Sequence, residues 1–174
     1  MVSINVSAQK RMSLYSILKD STLTVFYGIN PDTLGCVDKE TIYDEIKRIV
    51  IDPSVKEFTP ISCRDWFAGC GQLEEIVGLE NLNTEHVTDM SGMFNGLDVI
   101  TSLTLPEGFS TSSVTDMSYM FAHAFSLTSL TLPDVFIIDQ TMSAAGVFED
   151  IITSATLYAT DATARSLWPG VLGN

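Results

Sequence analysis

Two octets, VTDMSGMF at Val87–Phe94 and VTDMSYMF at Val114–Phe121, match at seven of eight positions and start 27 residues apart. Stepping by 27 in both directions extends the similarity well beyond them. Phe67, Phe94, Phe121 and Phe148 form one series, and Trp66, Met93, Met120 and Val147 a second. Ile76, Leu103, Leu130 and Leu157 form a third, and Leu82, Phe109 and Phe136 a fourth, with no insertion from Cys63 to Leu157. A unit this short cannot bury an apolar face alone, so its copies must stack on one another. A short solenoid is the expected result.

Each unit carries two periodicities. Met90, Met93, Phe94 and Leu97 lie at i, i+3, i+4 and i+7, the spacing of a buried helical stripe. Met117, Met120, Phe121 and Ala124 repeat it; Cys63, Trp66, Phe67 and Cys70 begin the series, and Ala144, Val147, Phe148 and Ile151 end it. ITSLTL at Ile100–Leu105 and LTSLTL at Leu127–Leu132 then alternate apolar residues with Ser or Thr, as a half-buried strand does, and stop at Pro106 and Pro133. Thr88 and Asp89, like Thr115 and Asp116, stand where a helix cap and an acid at the positive helix end are expected, and either residue of each pair suits the cap. One Asp per unit supplies too few oxygens for calcium. Parallel strands stack about 4.8 Å apart whereas helices need about 8–10 Å, so the stack should curve with its strands inside unless the helices are short or irregular.

The ends depart from this pattern. Ser13–Leu18 and Thr22–Tyr27 read as a β-hairpin turning at Lys19–Ser21, and DKETIYDEIK from Asp38 as a short helix. At the other end Asp161 reads as the N-cap of a final short helix stopped by Pro169 and Gly170, with Leu167 and Trp168 covering the last open face. The expected organisation is one structural domain of class α/β. It has an N-terminal cap with β-hairpin over 1–47, a repeat array over 48–157 and a C-terminal cap over 158–174. The array is a short leucine-rich-repeat-like solenoid, with a parallel sheet on one face and short helices on the other.

Nearly half the residues are apolar and 18% are charged, which argues against disorder. No apolar run is long enough to cross a bilayer, and the N-terminal segment reads as a poor secretion signal. All Lys and Arg lie between Lys10 and Arg64 or at Arg165, while Asp65–Ala164 carries 14 Asp and Glu. Phosphate recognition depends on cations, so nucleic acid and anionic membrane are poor partners for that block. The acids also keep an apolar array soluble.

No nucleophile motif, phosphate loop or metal-ligand spacing is present, so no catalytic residue, metal ligand or cofactor is expected. His86 and His123 recur in no other unit and read as solvated or locally bonded. Cys63 and Cys70 occupy stripe positions and read as small core residues, too far apart for a disulfide; Cys36, in a loop, is the better reactive thiol.

In-register stacking specifies the solvent face of the sheet. One outward ladder runs Arg48, Glu75, Ser102, Ser129, Thr156 and the other Val50, Val77, Thr104, Thr131, Tyr158, with Arg48 and Glu75 as lateral neighbours. Glu75, Ser102, Thr104, Ser129, Thr131 and Tyr158 are the candidate binding residues, since solenoids present such a face to ligands. Exposed Ser and Thr equally suit a strand that needs β propensity without a partner.

The pattern LxxLxL in Ile100–Leu105 and Leu127–Leu132 resembles the core of leucine-rich repeats, with an Asn three residues on only at Asn81. WFAGC, LEEIVGLENLNTEHVTDMSGMF and SSVTDMSYMF, led by RIVIDPSVKEFTPISCRDWF and closed by ATLYATDATARSLW, resemble the BspA-like bacterial surface protein repeats. The likeness runs from about Leu14 to Trp168. It implies a non-catalytic cell-surface or extracellular module that binds a protein or glycan, without inserting in a membrane. A structural subunit of a surface assembly or phage particle, associating with itself through a cap, is the alternative.

Overall fold

A computed structural model of the protein describes residues 13–28 and 45–173. The expected helix from Asp38 lies, up to Asp44, outside the described residues, as does the loop bearing Cys36.

The chain forms a solenoid of stacked coils, each giving one short strand to a parallel sheet. β1 (Ser13–Lys19) and β2 (Thr22–Gly28) are antiparallel, joined by Asp20 and Ser21 at φ 49° and 61°. Two consecutive left-handed residues match the right-handed twist of a tight hairpin, so the expected cap forms. β2 also pairs in parallel with β3 (Arg48–Ile51), which pairs with β4 (Glu75–Val77) in the expected register, Arg48 beside Glu75 and Ile49 beside Ile76. The hairpin thus supplies the first rung of the stack.

β5 (Ser102–Thr104), β6 (Ser129–Thr131) and β7 (Thr156–Tyr158) pair in parallel with partners 27 residues apart, and β8 (Val171–Leu172) adds a closing strand that periodicity did not foretell. The strands fall into two sheets, β1–β4 and β5–β8, so the anticipated rung from Glu75 to Ser102 is not hydrogen-bonded. Gly78 explains the break. At φ 85° it turns the chain where Leu105 and Leu132 continue inward, and any Cβ there would collide with the carbonyl of Ile51. Asn81 then donates from Nδ2 to that same carbonyl at 2.7 Å, tying this segment to the coil before it.

The opposite wall corrects the expectation for the octets. Their stripes are buried as anticipated, with Met90, Met93, Phe94 and Leu97 all at 1% exposure or less, yet they form tandem turns rather than α-helix. Met93 N–H donates to Met90 O and Asn95 N–H to Gly92 O, both three residues back. The N–H groups of Met90, Gly92, Phe94 and Gly96 instead reach the carbonyls of Asp116, Ser118, Met120 and Ala122 in the next coil, at 2.8–2.9 Å. Two columns of positive φ make this path possible: Asp65, Gly92, Tyr119 and Gly146, and Gly69, Gly96, His123 and Asp150. A left-handed residue twice per unit is incompatible with a continuous right-handed helix. The stripe spacing survives because successive three-residue turns also bring i, i+3, i+4 and i+7 to one side.

Turns stack as closely as strands do, so the spacing conflict between helices and strands never arises. Phe67, Phe94, Phe121 and Phe148 accordingly form a column with ring centroids 5.4, 5.6 and 5.8 Å apart. Trp168 closes the column edge-on against Phe148 at 5.0 Å, and Trp66 meets Phe67 edge-on at 6.5 Å. α1 (Ala162–Leu167) carries Trp168 there, with Asp161 accepting from Ala164 N–H at 2.7 Å as the expected cap. Leu167, by contrast, is exposed, so of the two residues expected to cover the face Trp168 is the one that does.

Candidate functional site

Five of the six candidate binding residues come together on the second sheet. Ser102 pairs with Ser129 and then Thr156, and Thr104 with Thr131 and then Tyr158, so two hydroxyl ladders run across β5, β6 and β7. Ser102, Thr104 and Tyr158 are exposed, and Ser129 and Thr131 half-buried. The inward residues Leu103, Leu130 and Leu157 anchor these strands in the core, which fixes the outward set. Glu75 lies on the other sheet, and its carboxylate is engaged by Arg48 Nε at 2.7 Å. Both partners are exposed, so the pair adds little stability.

Hydroxyls elsewhere serve the stack. Thr115 and Thr128 donate to the carbonyls of Thr88 and Thr101, one coil back, at 3.0 and 2.9 Å. Buried Thr111 both donates to Ile137 O and accepts from Ile137 N–H, at 2.8 Å each. Among the described residues, the side-chain hydroxyls of Ser102, Thr104, Ser129 and Thr131 have no such protein partner. They are therefore available to a ligand.

The octet residues have a structural task, though not the anticipated one. Thr88 Oγ1 donates to Ile61 O at 3.2 Å instead of capping a helix, and Asp89 accepts from Ser91 N–H at 2.9 Å and Ser91 Oγ at 2.6 Å. Asp116 accepts from Ser118 N–H at 2.9 Å. Hydrogen bonding from the Ser118 hydroxyl and N–H holds the Asp116 carboxyl below its ordinary 3.8, outweighing partial burial, with a smaller pull from Arg64. Thr141 does the same for Asp139 through its hydroxyl and N–H. Successive coils bring Asp89 beside Asp116 with Ser62 and Ser143 at either end of the column. No group of three or more His, Cys, Asp or Glu is placed to hold a metal among the described residues.

Cys63 and Cys70 are buried and unpaired with each other, and burial, helped by Asp89, pushes the Cys63 thiol up to about 12. Such a thiol is a core side chain and not a nucleophile. His86 is exposed; His123 meets Asp150 at 3.0 Å across adjacent coils.

The feature that periodicity missed lies where the ladder ends. Tyr158 also borders an open cleft of about 500 Å³ with Leu132, Ala159, Thr160, Arg165 and Gly173. Its signal in the sequence was Arg165, the lone cation after Arg64, but only the return of β8 beside β7 places it.

The turns at Ser62, Asp89, Asp116 and Ser143 all fall within residues 61–154, which match a family described as "Mycoplasma protein of unknown function, DUF285". The chain belongs to this family. The DUF285 segment covers more than half of the chain and includes β4–β6, whereas the hairpin cap and α1 lie outside it. No curated protein and no solved structure matches the chain.

Proposed function

We propose that this protein is a non-catalytic recognition module of the BspA-like, leucine-rich-repeat-type bacterial cell surface, binding a protein or glycan through the solvent face of β5–β7. The observation that supports this reading is the uncommitted hydroxyl ladder. Ser102, Thr104, Ser129 and Thr131 lie in register on one sheet, and their hydroxyls have no partner among the described residues, whereas Thr115 and Thr128 use theirs within the stack. Ordered donors and acceptors about 4.8 Å apart suit a polar ligand that runs along the stack.

A binding screen over glycan and protein libraries, followed by Thr104→Lys and Thr131→Lys, tests the assignment. Thr104 is exposed and Thr131 half-buried on the outer face, so these substitutions should change stability by no more than about 1 kcal/mol. Loss of the detected interaction with the fold retained supports the face as the site; an interaction that survives both changes removes it.

A second reading, a structural subunit that assembles end to end, is favoured by one feature. Val171 and Leu172 on the terminal strand β8 are 53% and 42% exposed, an unpaired apolar edge of the kind that recruits another strand. Concentration-dependent association abolished by Leu172→Lys supports it.

A further inference from the structure

The cleft beside Tyr158 carries a cation that no carboxylate among the described residues neutralises. Arg165 donates from Nη1 to Ala159 O at 3.0 Å and to Gly173 O at 3.5 Å, both through one nitrogen. Its Nε–H and Nη2 edge has no acceptor among the described residues, and no carboxylate there pairs with it. This is notable in a stretch with 14 acids and no other Lys or Arg. The Nε–Nη2 edge of a guanidinium is a rigid two-donor fork that matches a carboxylate.

The geometry points to a binding site for a carboxylated sugar unit, a hexuronate-type monoanion. Three observations converge. The guanidinium is held in place by two main-chain carbonyls with its fork unused, so the charge is ordered before any ligand arrives. The acidic excess of the chain as a whole, a net charge of −13, opposes a doubly charged phosphate or sulfate more than a single carboxylate. The rest of the lining combines apolar Leu132 and Ala159 with the hydroxyl-bearing residues Tyr158 and Thr160, and its volume of about 500 Å³ holds a pyranose. A ring with C–H faces and several hydroxyls uses that mixture. A peptide carboxyl terminus would also present N–H donors, and the carbonyls of Ala159 and Gly173 already accept from Arg165. The site is independent of the ladder on β5 and β6: it requires neither Thr104 nor Thr131.

Titration of the full chain by calorimetry and by amide and arginine Nε–H chemical shifts, with glucuronate, glucose, acetate and an N-acetylated peptide as probes, tests it. Glucuronate is expected to saturate, moving the Arg165 Nε–H and Thr160 signals, while glucose and acetate each bind at least about tenfold more weakly. Arg165→Lys keeps the charge and removes the fork, and should weaken glucuronate by about tenfold or more. Thr160→Ala, which leaves the Arg165 contacts intact, should weaken it to a smaller extent and keeps the test valid if the Arg165 variant unfolds. Equal binding of acetate or of the peptide overturns the sugar assignment, and absence of saturation by glucuronate overturns the site.

Discussion

At the scale of single residues, two threonines one repeat apart separate hydrogen bonding from burial. Thr84 and Thr111 are each 1% exposed, but Thr111 Oγ1 bonds both O and N–H of Ile137 whereas Thr84 Oγ1 has no partner among the described residues. Thr111→Val removes both part-buried bonds to the carbonyl and N–H of Ile137, a residue exposed and open to water, and should cost about 0.5–1.5 kcal/mol; Thr84→Val removes an unpaired hydroxyl and should be neutral or stabilising. Chemical denaturation of both variants checks the contrast. Asp116 makes a pH prediction. Its folded-state carboxyl is depressed relative to 3.8, so its contribution is fully present above that value and is lost as pH falls through the lower, folded value. Asp116→Asn should therefore be less stable than the parent near neutrality, with the difference shrinking in acid, as read from unfolding curves across pH.

At the scale of elements, strands and turns were legible to different degrees. Alternation in Ile100–Leu105 located β5 because a half-buried strand leaves a period of two, and the polar break at Lys19–Ser21 between two β-rich runs located the hairpin. The stripe at Met90–Leu97 was read as helix because its spacing alone does not distinguish a helix from tandem turns. The sequence did hold a signal: Gly92 with Gly146, and Gly69 with Gly96, recur on the 27-residue grid. Their weight was hidden by Asp65, Tyr119, His123 and Asp150, non-glycine residues at the same left-handed positions. Gly92→Ala should cost about 1–2 kcal/mol, because φ is 63° there, although the Asp65 carboxylate that a new Cβ would meet is exposed and can move aside. A helix would instead gain stability from that change. The break between β4 and β5 was not legible, since it depends on how Gly78 and Asn81 both converge on Ile51 O.

At the scale of the molecule, the stack couples each coil to its neighbours through one aromatic column. Phe94 touches Phe67 on one side and Phe121 on the other, so Phe94→Leu loses two stacked pairs, about 1–3 kcal/mol in total by unfolding measurements. Trp168 and the hairpin close the two ends of this column of coils, which is why the repeat pattern fades where the caps begin. The candidate site depends on the same order: hydroxyls one coil apart align only because every element of a unit advances by the same short step. That common step requires turns, not helices, behind the sheet. Scalar couplings across hydrogen bonds, measured by NMR between amide nitrogens and carbonyl carbons, test this directly. Gly92 N should couple to Ser118 C′, Phe94 N to Met120 C′ and Gly96 N to Ala122 C′; couplings from these nitrogens to carbonyls four residues earlier would mean a helix and contradict the account.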